Sequence, residues 1–144
     1  MIPIKDLRIG DLVKTTTRNP ILEKGSICKV VLIDALINSI IVQKSDVDVC
    51  RCLVKEEIEG VPLTPEILEK NGWNKRHDPT SSCDIYSKGK GAFYVSLEQS
   101  IYKKQEGFEL VVADSTYRFG NKFQYVHQLQ HILWALGEGT NLKI

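Results

Sequence analysis

The sequence predicts an α+β fold with two small antiparallel sheets and two helices. Short apolar runs separated by turn residues occupy 12–54 and again 92–119, which is typical of antiparallel strands. Between them, Pro62–Trp73 carries the start and stop signals of a short helix. Near the end, Tyr125–Gly137 has apolar residues at helical spacing, which predicts an amphipathic helix packed on the second sheet.

The length and composition fit a small globular protein. A chain of 144 residues suits one domain or two very small ones, and 42% hydrophobic and 26% charged residues are ordinary values. We expect a small β-barrel-like subdomain over 1–60 and an α+β subdomain with the C-terminal helix over 61–144, unless the two share one core.

The first subdomain is predicted to be a curled antiparallel sheet. Its four strands are expected at Leu12–Thr16, Ser26–Ile33, Ile40–Gln43 and Asp46–Val54. Asn38-Ser39 fits a hairpin turn before the third strand. Because such a sheet often closes on itself, an SH3-like barrel is one expectation.

The middle of the chain predicts a two-turn helix. Thr64 can cap its first turn through the side-chain hydroxyl, and Pro65 suits the first helical position. Gly72 is placed for a left-handed C-terminal stop, and Trp73 is expected to pack over the helix end.

Polar segments on both sides of this helix are predicted to be irregular. Glu56–Glu59 is expected to be a solvated linker, and 74–90 a loop that contains one short strand. The second sheet is then completed by strands at 92–97, 108–113 and 116–119.

The last helix carries two stripes of residues. A core-facing stripe comprises Val126, Leu129, Leu133 and Leu136. A second stripe at i, i+3, i+4 and i+7 comprises His127, Gln130, His131 and Trp134. The simplest interpretation is that the His and Gln side chains cap or bridge to loops, and that Trp134 is half-buried.

The two histidines resemble half of a metal site. His127 and His131 lie four residues apart, as metal-binding pairs on helices do. The metalloprotease pattern needs a glutamate after the first histidine, where this chain has Gln128. Because no third ligand follows at a useful spacing, no metal site is predicted.

Four cysteines are too few for a disulfide scaffold in a chain of this length. Cys50 and Cys52 alternate with Arg51 on a predicted strand, and they lack the tight turn of a zinc knuckle. We therefore expect free thiols that behave as small buried hydrophobes.

The formal net charge of +1 gives no sign of a membrane partner, and none is expected. Charged residues at Lys5, Asp6, Arg8 and Asp11 exclude a signal-peptide apolar core, so the protein is expected in the cytoplasm. Residues 1–55 carry nine Lys and Arg against six Asp and Glu, which hints at an anion-facing surface.

Three stretches together resemble a known group of proteins. They are LRIGDLV at 7–13, PLTPEIL with NGW within 62–73, and YVHQLQ with AL within 125–136. In this order they resemble small bacterial proteins without established activity, found in genomes, prophages and plasmids of gut anaerobes. His131 stands where that pattern often has Asn. The resemblance implies a phage- or mobile-element-associated accessory protein and brings no catalytic residues.

We expect a non-enzymatic binding or interaction module that recognises a protein partner and needs no cofactor. The predicted binding residues are Trp73, His127, Gln130, His131 and Trp134. One alternative is nucleic-acid binding through the basic N-terminal β subdomain, which salt-sensitive retention on DNA or RNA would test. Another is a metal-dependent hydrolase that uses His127 and His131, which metal analysis of the purified protein would test.

Overall fold

The structure confirms an α+β fold with two five-stranded antiparallel sheets and two α-helices. It is a computed structural model that describes residues 2–17, 22–44, 50–90, 93–112 and 117–144. The chain forms two compact units, Met1–Pro62 with Tyr125–Thr140 and Leu63–Gln124 with Asn141–Ile144. The sequence-based division at residue 60 places the C-terminal helix in the second subdomain, whereas the structure groups it with the first part of the chain.

The first unit contains one sheet and the long helix. Its elements are β1 (Leu12–Thr15), β2 (Ile27–Asp34), β3 (Ser39–Lys44), β4 (Cys50–Val54), β5 (Ile58–Gly60) and α2 (Val126–Ala135). Short 3-10 helices span Ile4–Asp6 and Lys55–Glu57. The strand order is β4-β3-β2-β1-β5, and every neighbouring pair is antiparallel. The helix contacts β1, so it packs within this unit.

One face of this sheet forms the core of the first unit. Alternate strand residues turn the same way, and the buried set comprises Val13, Cys28, Val30, Ile40, Val42, Leu53 and Ile58. The pairs Val13–Cys28 and Val30–Val42 lie directly opposite each other across neighbouring strands. Asn38, at the predicted hairpin turn, has the left-handed φ of 52° that such turns require.

The prediction of a closed barrel is wrong. Within the described part of the chain, β4 and β5 are the two edges of the sheet and do not pair with each other. The stretch Glu56–Glu59 was predicted to be a solvated linker, and this is also wrong, because Ile58 is only 1% exposed. Its burial anchors β5, which pairs with β1. The sequence pattern did not indicate a strand here, because the residues around Ile58 are acidic.

The second unit contains the other sheet and the short helix. Its elements are α1 (Pro65–Lys70), β6 (Asn74–Asp78), β7 (Cys83–Lys90), β8 (Phe93–Ser100), β9 (Phe108–Val112) and β10 (Tyr117–Phe123). The strands follow one another as a meander in the order β10-β9-β8-β7-β6. Tyr86, Leu97 and Leu110 lie side by side on three successive strands and are buried.

The capping signals of α1 are confirmed. Thr64 Oγ1 accepts a hydrogen bond from the Ile67 amide at 3.4 Å, and Pro65 is the first helical residue. Gly72 has a φ of 79°, and the Trp73 amide donates to the Leu68 carbonyl at 3.1 Å.

Strand β6 lies where the sequence predicted a loop. Its residues are polar and mostly exposed, because it is an edge strand paired only with β7 among the described residues. Asp84 on β7 holds it: its carboxylate lies 3.1 Å from Lys75 Nζ and 3.1 Å from His77 Nδ1. Burial alone would raise the pKa of Asp84, but Lys75 and His77 outweigh it, so the pKa is lowered.

The cysteines are free, and their burial differs from the prediction. Cys28 is buried, whereas Cys50 and Cys52 are exposed. The expectation that all are small buried hydrophobes is therefore wrong for the pair on β4. Leu53 is the buried residue of that strand, so alternation turns its neighbours outward.

Candidate functional site

The structure collects four of the five predicted binding residues around the start of β1. His127, Gln130, His131 and Trp134 lie on α2 in the first unit. Trp73 belongs to the second unit and is only 3% exposed. Its Nε1 has no hydrogen-bond partner among the residues described.

Gln130 ties the helix to the backbone before β1. Its Oε1 accepts a hydrogen bond from the Leu12 amide at 3.0 Å. Its Nε2 donates to the carbonyl oxygens of Gly10 at 3.1 Å and Thr140 at 3.0 Å. The side chain is 3% exposed, so these bonds form away from water. Gln130 therefore satisfies main-chain groups of the segment before β1 as a neighbouring strand would.

His131 is oriented by Asp11, a residue that sequence reasoning did not include in the site. The His131 Nε2 lies 2.8 and 3.0 Å from the two carboxylate oxygens of Asp11. The same carboxylate accepts a hydrogen bond from the Arg8 amide at 2.7 Å. Asp11 is 3% exposed, and these two donors compensate its burial.

His127 is buried beside this pair. It is 4% exposed, and its Nδ1 has no hydrogen-bond partner in the part of the chain that is described. The Tyr125 ring stacks on it with centroids 5.7 Å apart, and the His131 ring meets it edge-on at 5.9 Å. No group of three His, Cys, Asp or Glu residues within the described ranges is arranged to hold a metal ion.

The pKa of His127 is lowered below its usual 6.5, chiefly because burial disfavours the imidazolium. His131 lowers it further, whereas the carboxylates of Asp11 and Asp6 act in the opposite direction. Well above pH 6.5 the imidazole is neutral in both the folded and the unfolded chain, so its titration does not change the free energy of unfolding. As the pH falls below 6.5, His127 becomes protonated in the unfolded chain before it does so in the folded one. The free energy of unfolding therefore falls with pH until the pH reaches the lowered pKa of the folded state.

We therefore expect the first unit to lose stability between pH 7.5 and 5.5, and a His127→Leu variant to lose less. Urea unfolding followed by amide exchange of β1, β2 and β3 at both pH values would measure this. Asp84 does not confound the comparison, because a carboxyl whose pKa is lowered from 3.8 stabilises the fold equally at pH 7.5 and 5.5 and loses this contribution only at lower pH. Equal pH dependence in the two proteins would contradict a neutral buried His127.

Trp134 is the one member of the predicted site that faces solvent. It is 66% exposed, not half-buried as predicted. The Arg8 guanidinium carbon lies 5.0 Å from the centroid of its ring, which is a cation–π contact. Ile9, next to Arg8 in the chain, is 71% exposed. Leu136 was predicted to be in the core and is 47% exposed, which is a second correction.

The site thus has a buried polar layer and an exposed aromatic one. The buried layer fixes the backbone of α2 against the start of β1, and the exposed layer offers Trp134 and Arg8 to solvent.

Comparisons with protein-family models, with curated proteins and with solved structures found no match. Across the described residues, neither helix has the length and apolar character needed to cross a membrane.

Proposed function

We propose that this protein is a non-enzymatic binding module whose protein partner contacts Arg8, Ile9 and Trp134, named here the Arg8–Trp134 surface. The exposure of Trp134 carries the proposal: a large aromatic ring is 66% exposed on a helix whose neighbouring face is buried. Tryptophan and arginine are the residues most enriched among those that dominate binding energy at protein interfaces.

The geometry favours recognition with little rearrangement. Arg8 lies over the Trp134 ring and restrains it before any partner arrives. The Arg8 amide is held by Asp11, whose carboxylate also binds His131 on the same helix as Trp134. His131 and the buried carboxylate of Asp11 therefore support the exposed pair from behind.

The alternative of nucleic-acid binding receives less support from the structure. The basic excess of residues 1–55 is offset within the first unit by Glu56, Glu57, Glu59 and Glu138. Over 1–62 and 125–140 the chain carries nine Lys and Arg against ten Asp and Glu.

A phage or mobile-element accessory role stays part of the proposal, and replication, packaging or tail genes beside the coding sequence would support it.

Site-specific photo-crosslinking tests the binding module. A benzoylphenylalanine at position 9 keeps both Arg8 and Trp134, and Ile9 is 71% exposed. Introduced during expression in the native host, it is expected to give a discrete covalent adduct with one protein. The matched control is position 102, where Tyr102 is 77% exposed in the second unit. Adducts of the same size and yield from both positions, or none from position 9, would contradict the Arg8–Trp134 surface.

With the captured partner in hand, Trp134→Ala is expected to weaken binding by at least about tenfold, because truncating a central aromatic costs about 2 kcal/mol. The free energy of unfolding should change by less than about 0.5 kcal/mol, because the side chain is largely exposed. Titration calorimetry and urea unfolding measure the two quantities separately.

A further inference from the structure

Strand β4 is an open edge of the first sheet. It pairs only with β3 among the described residues, and Cys50, Arg51 and Cys52 are all exposed. The opposite edge, β5, is followed by Val61, whose carbonyl accepts a hydrogen bond from the Val126 amide at 2.9 Å. The chain is thus tied to α2 directly after β5, whereas no main-chain contact of this kind is found along the outer side of β4 among the described residues.

The hydrogen-bond pattern shows which groups of β4 face outward. Val30 bonds toward β1, since its amide donates to the Asp11 carbonyl at 2.9 Å. Its partner Val42 on β3 therefore bonds toward β4, where it faces Arg51. By alternation, the main-chain N–H and C=O groups of Cys50 and Cys52 point away from β3 into solvent.

An independent contact agrees with this assignment. The amide of Val54, two residues after Cys52, donates to Glu57 Oε2 at 3.1 Å rather than to β3. Glu57 thus occupies one end of the open edge, and the N–H and C=O groups of Cys50 and Cys52 are left without a partner among the described residues. Natural edge strands are often guarded by charged side chains, proline or a bulge. β4 has no proline and pairs with β3 in regular register, and its one charged side chain is Arg51.

We infer that β4 binds an extended peptide segment of another protein as a sixth, antiparallel strand. Cys52, Ile41 and Leu32 form a cross-strand row on the outward face, and Leu32 is 45% exposed. A peptide residue opposite Cys52 would extend this row and is best apolar. A residue opposite Cys50 would face a thiol that behaves as a small hydrophobe, next to Gln43, and an apolar residue suits it as well. A residue opposite Arg51 would be acidic, so the recognised pattern is apolar–acidic–apolar.

A second copy of this chain fits the edge less well than such a peptide. In the symmetric register that pairs Cys50 with Cys52 of the second copy, the two Arg51 side chains face each other with like charge. In the register centred on Cys52, Cys50 faces Val54, whose amide Glu57 already occupies. This inference uses no residue of the Arg8–Trp134 surface, so the two proposals can fail separately.

Fluorescence anisotropy with a labelled Thr-Val-Glu-Val-Thr peptide tests the inference on the full chain. We expect saturable binding that Arg51→Glu weakens at least tenfold, and the same variant should gain affinity for Thr-Val-Lys-Val-Thr. Because Arg51 is exposed, the exchange leaves the fold intact. Lys24→Glu, the same charge reversal at another exposed position of the first unit, serves as the control variant and should bind like the unaltered protein.

Backbone methylation of the peptide separates strand pairing from simple charge attraction. N-methylation of both valines removes the donors that face Cys50 and Cys52, and it should abolish binding. N-methylation of the central glutamate removes a donor that faces away, and binding should persist. Equal binding of the two methylated peptides, an unchanged affinity of Arg51→Glu, or no binding at millimolar peptide would each overturn the inference.

Discussion

Replacing Gln130 by glutamate is expected to destabilise the first unit by about 3 kcal/mol or more. The carboxylate has nearly the same shape, but it cannot donate to the carbonyl oxygens of Gly10 and Thr140, which lie 3.1 and 3.0 Å from the amide nitrogen. Each buried group left unsatisfied costs about 1–3 kcal/mol, and a buried charge adds to this. Urea unfolding with amide exchange of β1, β2 and β3 measures the loss.

The matched control for Gln130→Glu is Gln105→Glu, the same chemical change at an exposed position of the second unit. We expect it to alter the free energy of unfolding by less than about 0.5 kcal/mol. If Gln130→Glu unfolds at the same urea concentration as the unaltered protein, the three hydrogen bonds of Gln130 do not hold α2 to β1.

Sequence patterns predicted those elements whose signals are local. The cap at Thr64, the stop at Gly72 and the apolar runs of β1, β2 and β3 each depend on residues that are close together in the chain. Strands β5 and β6 were missed because their residues are polar and their stability comes from pairing with a distant or following strand. The hydrophobic periodicity of a segment does not show which strand it will pair with.

The candidate site was only partly predictable, because its polar contacts join residues far apart in the chain. Asp11 and His131 are 120 residues apart, and neither alone indicates a pair. Helical spacing predicted that Leu136 is a core residue. In the structure, the buried face of α2 instead includes the polar residues His127 and Gln130. Because Gln130 bonds to main-chain groups before β1, its side of α2 faces the sheet. Leu136 and Trp134 are on the exposed part of the helix.

Adding a methyl group at Gly60 is expected to cost about 2–3 kcal/mol and to disturb the packing of His127. A Cβ at this position would lie 2.3 Å from Tyr125 Cδ1, closer than any real contact allows, and Gly60 is buried. The ring must therefore move, and it is the same ring that stacks on His127 at 5.7 Å. Urea unfolding of Gly60→Ala would show the loss, and the His127 ring proton shifts would show the displacement.

A double-mutant cycle separates the clash at Gly60 from a general effect of the alanine side chain. With Tyr125→Ala already present, Gly60→Ala should cost at least about 1 kcal/mol less than it does alone, because the overlapping ring is gone. Gly139→Ala is the matched control, since its added Cβ meets no atom within 4 Å and the position lies in the same unit. Additive costs in the cycle would mean that the close approach of Tyr125 to Gly60 does not constrain this site.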